Sequence, residues 1–381
     1  MRNPFKQPLF HVVRRRDISI WKSLAYRFGA ILVGLLLACL LLGLTTGNNP
    51  FSVIPLLFEG IFSTERKFWI FVHTASLLLI VGLALLPAFK MKFWNLGGNG
   101  QILISCLATL ICMKYLGAAG WPDPAIIAVM IPVALLAGMI WAVIPAIFKA
   151  LFNTNESLFT LMMNYIAAGI VAIFINAVDG AGSGTLSIID HGQIPGIELP
   201  FSNMGPQYYP LTLIISLIIL GIMFAYLRFH KHGYELAVVG ESQNTAKYIG
   251  INVKKVIIRT VLLSGAVCGV VGLLLGGAIN HTMTVESANN MGFTAIMVTW
   301  LARFNPFAMV GTATLVAFVT RGMAQVQKAF GITNSAIGSI SIGIIYFTVI
   351  AVEFLISYRI VFNHHSKKEK DKKLPQGKED K

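Results

Sequence analysis

Ten apolar runs, separated by polar stretches, follow one another through this chain of 381 residues. A helix of roughly 20 apolar residues can cross the ~30 Å hydrocarbon core of a bilayer, because it satisfies its backbone hydrogen bonds internally. The runs cover approximately residues 25–45, 68–89, 100–118, 125–148, 158–178, 210–228, 257–279, 291–303, 306–320 and 335–358. Only 12% of the residues are charged, against about 25% in a soluble domain. The sequence therefore predicts an all-α polytopic membrane protein with about ten transmembrane helices.

The net charge of +14 lies almost entirely outside these runs. Residues 1–27 carry seven Lys/Arg and one Asp, residues 228–259 carry six Lys/Arg and two Glu, and residues 365–381 carry seven Lys and four acids. Short segments rich in Lys and Arg stay on the cytoplasmic side of a membrane. We therefore expect both termini and the central segment in the cytoplasm. Orientation accounts for the basic charge, so no nucleic-acid partner is expected.

Ten spans agree with this orientation, with one inconsistency. Runs eight and nine are short and are broken at 303–306, and Arg321 and Lys328 beyond them would lie outside. Either these two side chains snorkel, or the region 303–334 does not cross fully and nine spans remain. No signal-peptide cleavage site follows the first run, which is therefore kept as a span.

The polar segments divide the chain into five parts. They are a cytoplasmic basic N-terminus (1–24), a first transmembrane half (25–228), a cytoplasmic loop (229–256), a second transmembrane half (257–358) and a disordered cytoplasmic tail (359–381). Residues 97–102, which open the third run on the inside, resemble residues 290–296, which open the eighth run on the outside. Such a pair is typical of two halves with inverted topology.

Signatures of catalysis are absent from the sequence. It contains no G-x-x-x-x-G-K-[ST], H-E-x-x-H, G-x-S-x-G or Cys/His cluster, so we expect neither an enzyme nor a bound cofactor or metal. We interpret the four cysteines as small core residues: Cys39, Cys106, Cys112 and Cys268. His73 is the one ionisable side chain well inside a run, and we interpret it as a neutral, hydrogen-bonded core residue. So little charge in the spans favours an energy source outside the membrane.

The central segment carries a recognisable pattern. Residues 240–251, GESQNTAKYIGI, resemble the loop that permeases of ABC importers for sugars, nucleosides and branched-chain amino acids present to their ATPase, with Thr245 in place of one alanine. The resemblance implies a short helix around 244–248 that inserts into a groove of the ATPase, between turns at two glycines. The implied coupling residues are Gly240, Glu241, Asn244, Ala246, Lys247, Tyr248, Gly250 and Ile251. The alternative is a plain connecting loop.

Three further stretches are similar to the nucleoside permeases of that family. They are FWNLGGNGQ at 93–101, NESLFTLMMNYIA at 155–167, and 292–306. Asn99 stands where that group has Glu, and 302–304 departs from its pattern. The resemblance implies a nucleoside permease subunit in a bacterial plasma membrane. It also implies a cytoplasmic ATPase that binds ATP-Mg, a second permease that completes a heterodimer, and an extracytoplasmic substrate-binding lipoprotein.

Candidate pathway residues lie in the same stretches: Asn95, Gly98, Gln101, Asn164, Gly292 and Phe293. An unpaired amide costs several kcal/mol in lipid, so Asn95, Gln101 and Asn164 must face protein, water or cargo. A hydrogen bond between helices is an equal alternative for each of the three. Two other functions stay open: a permease for simple sugars or branched-chain amino acids, and a stand-alone ion-coupled carrier or channel.

Overall fold

A computed structural model describes residues 10–14, 19–179, 182–198, 207–332 and 335–362 of the chain. These ranges are almost entirely helical, which confirms the predicted all-α polytopic class. The helices are α1 (Ile20–Thr46), α2 (Val53–Phe62), α3 (Glu65–Lys90), α4 (Gly98–Ala118), α5 (Asp123–Phe152), α6 (Glu156–Asp179), α7 (Tyr209–Phe229), α8 (Lys231–Glu241), α9 (Gln243–Tyr248), α10 (Val253–Leu273), α11 (Met291–Leu301), α12 (Pro306–Ala329) and α13 (Ser335–Ser357). The described ranges also contain two short strands, β1 (Phe10–Arg14) and β2 (Tyr358–Phe362).

Within the described ranges, eight helices are long and apolar enough to cross a membrane. They are α1, α3 to α7, α12, and α10 together with the π-helical turns Leu274–Asn280 that continue it. α13, with 23 residues, also has the length of a span. α11 has only 11 residues and rises about 16 Å, roughly half the hydrocarbon thickness. The predicted eighth run is therefore a half-length helix.

α12 runs past the end of the predicted ninth run. It continues to Ala329, so Arg321 and Lys328 lie within a helix of 24 residues and not beyond a short one. Arg321 Nε donates a hydrogen bond to Thr74 Oγ1 of α3 at 2.6 Å. A polar partner on a neighbouring helix lets a polar residue lie inside the bundle. The prediction ended the span near residue 320 because the apolar run ends there.

The chain divides into two compact units. In one of them α1 packs along α13, and β1 pairs antiparallel with β2, with Phe10 opposite Phe362. Residues 359–362, the start of the predicted disordered tail, lie in β2, and residues 363–381 are outside the described residues. α1 begins at Ile20, inside the predicted N-terminal segment.

The other unit, residues 52–331, is built around α3 and α10. Every residue of α3 from 76 to 89 is buried, as expected for a helix that is apolar on all sides. α10 lies close to α5, since a methyl group added at Gly265 would come within 2.6 Å of the Ala142 Cβ. Small residues allow this approach between membrane helices. The core of the unit therefore lies among α3, α4, α5 and α10.

Two helices of this unit have no counterpart among the predicted runs. α2 has 10 residues, too few for a span, and packs on α12. α8 fills much of the central segment, where the sequence predicted a loop with one short helix. Both are short helices that hydrophobic length alone does not reveal.

Candidate functional site

The chain between α3 and α4 is not helical, and Asn95 organises it. Asn95 is fully buried, with 0% of its surface exposed. Its Oδ1 accepts a hydrogen bond from the Gly97 N–H at 3.0 Å, and its Nδ2 donates to Ser264 Oγ of α10 at 3.1 Å. The Asn95 amide therefore folds the segment on itself and fastens it to α10.

α6 holds the same segment from another side. Asn164 Nδ2 donates to the Leu96 carbonyl at 2.9 Å, and Asn164 Oδ1 accepts from the Gly100 N–H at 2.8 Å. One turn earlier, Thr160 Oγ1 accepts from the Leu96 N–H at 3.1 Å. Residues i and i+4 share a helix face, so this spacing supplies the partners that non-helical backbone lacks. Asn164 lies about 12 Å along α6 from Glu156, which places the break well inside the bundle.

The start of α11 meets the start of α4. Asn99 Oδ1 accepts a hydrogen bond from the Gly292 N–H at 2.7 Å, and Asn99 Nδ2 lies 3.4 Å from Asn290 Oδ1. A methyl group added at Gly98 would lie 3.2 Å from the Gly292 Cα. Unpaired N–H groups make the start of a helix positive. An amide oxygen between two helix starts is therefore in a favourable position.

This meeting corrects one prediction. The similar segments 97–102 and 290–296 were expected on opposite faces of the membrane, but the structure places them in contact. The reason is that α4 starts inside the bundle after its non-helical stretch, and the half-length α11 also starts there. Two halves of inverted topology stay a prediction.

The non-helical stretch before α4 and the start of α11 together form what we call the double break. Five of the six candidate pathway residues lie together there: Asn95, Gly98, Gln101, Asn164 and Gly292. Asn95 and Asn164 bond to backbone and to neighbouring helices, the alternative that the sequence left open. Gln101 is 1% exposed, and its Oε1 has no hydrogen-bond partner in the described part of the chain. Phe293 lies on α11 with 37% of its surface exposed. The part of these residues in substrate handling stays a prediction.

His73 is buried and hydrogen-bonded, as expected. Its Nδ1 lies 3.0 Å from Thr212 Oγ1 of α7, and its ring packs against Tyr209 with 5.6 Å between centroids. These contacts make His73 part of the packing between α3 and α7.

The central segment contains the predicted short helix. α9 covers the expected residues 244–248, and Ser242 caps its start by accepting a hydrogen bond from the Thr245 N–H at 3.2 Å. Gly250 follows with a φ of 83°, a left-handed conformation that favours glycine. The helix therefore has a defined beginning and a defined end.

Gly240 differs from its predicted role at a turn. It is a buried residue within α8. A Cβ at this position would collide with the Lys90 carbonyl and would lie 3.2 Å from the Met91 Cα. Gly240 therefore lets α8 pack directly against the end of α3.

Only one side chain of α9 is buried. Ala246 is 0% exposed, whereas Tyr248 is 92% exposed, and Asn244 and Lys247 are exposed as well. Ala246 belongs to a hydrophobic cluster contributed mainly by α3, α5, α8 and α10: Ala88, Met91, Phe93, Ala142, Ala146, Ala150, Leu236, Val239, Val253, Val256, Ile257 and Val261. Ile251 packs on the same cluster, and Glu241 is exposed at the end of α8. α9 therefore projects from the surface while its anchor lies in a core shared with three long apolar helices.

Comparison with known proteins decides the class of this chain. The family described as "Branched-chain amino acid transport system / permease component" matches residues 69–352. The chain belongs to this family. The matched range includes the non-helical stretch before α4, the start of α11 and the central segment.

Relatives of the permease include transporters for nucleosides and for a sugar. The guanosine ABC transporter permease protein NupP of Bacillus subtilis (strain 168) is 28% identical over 332 residues, 84% of this chain and 90% of the relative. The nucleoside ABC transporter permease protein NupB of Lactococcus lactis subsp. cremoris is 26% identical over 339 residues, 86% and 90% of the two chains. A glucose ABC transporter permease protein of Haloferax volcanii is 24% identical over 356 residues, 91% and 92%. No solved structure matches the chain.

Some residues of the permease's helix breaks were missed by sequence reasoning. Thr160 holds the Leu96 N–H, and its place four residues before Asn164 was an available signal. Ser264 carries no local signal, because its role is defined by a contact with a distant residue. Asn290 opens the segment 290–296 that resembles 97–102, but its contact with Asn99 could not be predicted from that resemblance.

Proposed function

We propose that this permease forms the translocation pathway of an ATP-binding cassette importer for nucleosides. Two of the three stretches that resemble nucleoside permeases, 93–101 and 155–167, are joined by hydrogen bonds at the start of α4. Two relatives named for guanosine and nucleoside transport align with most of the chain. The observation that carries the transport mechanism is the exposure of α9 around the buried Ala246. A separate subunit can bind the exposed face of such a helix while its buried residue keeps it attached to the transmembrane helices.

A continuous set of contacts leads from α9 to the double break. Ala246 shares a core with Val253 and Val256 of α10. Eight residues beyond Val256 on α10, Ser264 accepts a hydrogen bond from Asn95 at 3.1 Å. Because packed helices move as rigid elements, displacement of α9 by a partner is transmitted along α10 to the start of α4. We propose that this motion alternates the access of the pathway.

The partners follow from the same proposal. A cytoplasmic ATPase grips α9 and carries ATP-Mg, while this chain binds no nucleotide. A second, different permease completes the pathway as a heterodimer, and an extracytoplasmic lipoprotein delivers the nucleoside. The assembly lies in a bacterial plasma membrane, with both termini of this chain in the cytoplasm, because the basic segments favour that orientation.

Reconstitution tests the dependence on partners. Purified chain in liposomes should take up no nucleoside, and uptake should require the second permease, the ATPase with ATP, and the binding protein. Uptake by the chain alone, driven by an ion gradient, would show instead a stand-alone carrier.

Competition tests the substrate. The similarity to a glucose permease favours a sugar as the second candidate. Unlabelled uridine or guanosine should suppress uptake of labelled nucleoside by the whole importer, and glucose, ribose and leucine should not. An importer that ignores nucleosides and transports a sugar would overturn the nucleoside proposal and leave the permease class intact.

A further inference from the structure

A groove with a volume of 520 Å³ lies beside α9. One wall is formed by the first turns of α8, with Lys231 and Glu235, and another by the first turns of α10, with Lys255 and Arg259. The turn 249–252, which follows α9, closes the third side. The groove and the coupling helix therefore share one stretch of backbone.

The charge in this groove is unbalanced. Three cationic side chains line it against one carboxylate. Lys231 Nζ lies 4.0 Å from Glu235 Oε1, and the Lys231 side chain is 85% exposed, so solvent screens this pair. Lys255 and Arg259 form no ion pair with any residue in the described ranges. The groove therefore has a net positive charge that this part of the chain does not neutralise.

Two helix starts add to the positive potential. α8 begins at Lys231 and α10 begins at Val253, and neither has an acidic residue in its first turn. Asn252 caps α10 with a neutral oxygen that accepts from the Lys255 N–H at 3.1 Å. The start of a helix favours anions and disfavours cations. Because both first turns carry lysines and no acidic residue, the positive potential there is not neutralised. An anion from another molecule would be stabilised by this potential.

We propose that this groove binds a carboxylate side chain of the cytoplasmic ATPase, next to the ATPase surface that binds α9. This inference rests on the proposed coupling role of α9. Tyr248 is 92% and Ile249 55% exposed, and a protein surface that encloses them must also cover the adjoining turn and the groove. Opposite charge across such an interface raises the association rate and fixes the register.

Two adjacent lysines provide a matched test. Lys254 and Lys255 are both exposed in the first turn of α10, but only Lys255 lines the groove. Lys255→Glu and Lys254→Glu change the net charge equally and at the same helix end. We expect Lys255→Glu to weaken ATPase binding to the permease about tenfold or more, with Lys254→Glu within about twofold of wild type. Arg259→Glu should behave like Lys255→Glu.

The binding assay uses permease in lipid nanodiscs and the purified ATPase, with and without an anionic phospholipid. Equal loss in the two lysine variants would overturn the inference, because general positive charge would then suffice. A loss for Lys255→Glu that appears only with anionic lipid would also overturn it and assign the groove to a lipid headgroup.

Replacement of 243–248 by a Gly/Ser segment separates this inference from the proposed function. If that replacement leaves ATPase binding intact, the coupling role of α9 fails. If it abolishes binding while Lys255→Glu equals Lys254→Glu, only the groove inference fails.

Discussion

The backbone N–H of Gly292 donates a hydrogen bond of 2.7 Å to Oδ1 of Asn99, although 193 positions separate the two residues. The contact joins the start of α4 to the start of the half-length α11. Two positive helix ends therefore meet at a neutral amide. Discontinuous helices of this kind form the substrate sites of many transporters. We therefore expect the substrate site of the proposed nucleoside importer near this contact.

Asn99→Leu should destabilise the permease. The substitution leaves the Gly292 N–H buried without an acceptor, which costs about 1–3 kcal/mol. Asn99→Asp keeps the oxygen and adds negative charge between two helix starts, so it should lose less stability. Thermal unfolding in detergent measures both variants, and an Asn99→Leu protein as stable as wild type would contradict the role given to this contact.

Thr160→Val and Asn164→Leu should each destabilise the break between α3 and α4. Each substitution removes a side chain that hydrogen-bonds to backbone groups of residues 96–100, and each should lower the free energy of unfolding by about 1–3 kcal/mol. Because both act on Leu96, the double variant should lose less than the sum of the single losses. A double-mutant cycle on thermal unfolding checks this, and strict additivity would show that the two side chains act independently.

Gly240→Ala should displace α8 from the end of α3, because its Cβ would meet the Lys90 carbonyl. Gly250→Ala meets no atom within 4 Å but would place a side chain at a φ of 83°, at a cost of about 1–2 kcal/mol. Gly169→Ala in α6 also meets no atom and should be neutral or stabilising. Unfolding temperature and ATP-driven uptake should fall for the first two variants and should not fall for the third.

Tyr248→Ala and Ala246→Leu should separate docking from folding. Tyr248 is 92% exposed, so its removal should change stability by no more than about 0.5 kcal/mol while weakening ATPase binding. Ala246 is fully buried, and the larger side chain should cost about 1–3 kcal/mol by overpacking. Pull-down of the ATPase and thermal unfolding measure the two effects on both variants. If α9 were a plain connecting loop, Tyr248→Ala would leave ATPase binding at the wild-type level.

Stability should fall at acidic pH because of His232. Burial lowers the pKa of His232 below its ordinary value of 6.5; Arg259 and His230 add to this and Glu235 opposes it. As pH falls below about 6.5, the unfolded chain takes up a proton that the folded chain does not, so the free energy of unfolding decreases until the pH reaches the folded pKa. His232→Gln should flatten this part of the pH profile of the unfolding temperature. An unchanged slope in that variant would assign the effect to other groups.

Hydrophobic length predicted most of the helices, and local contacts explain where it failed. α3 starts at Glu65, earlier than its apolar run, because Thr64 caps it by accepting from the Lys67 N–H. α12 continues past its run because Arg321 has a partner on α3. Both features depend on polar residues, which a search for apolar runs treats as boundaries.

The candidate site could be predicted only in part, because some of its residues are defined by contacts with distant positions. α9 lies within one continuous stretch of sequence, so its pattern could predict a short helix there. The role of Gly240 depends on Lys90, and the role of Asn99 depends on Gly292. Contacts between positions so far apart leave no trace in the spacing of either residue.

The attachment of α9 through a single methyl group has a consequence for how such machines diversify. Five of its six side chains are exposed and contribute little to the stability of the permease. Under the proposed coupling role, substitutions on the outer surface of this helix can therefore change which ATPase the permease binds, while the residues inside the membrane stay the same.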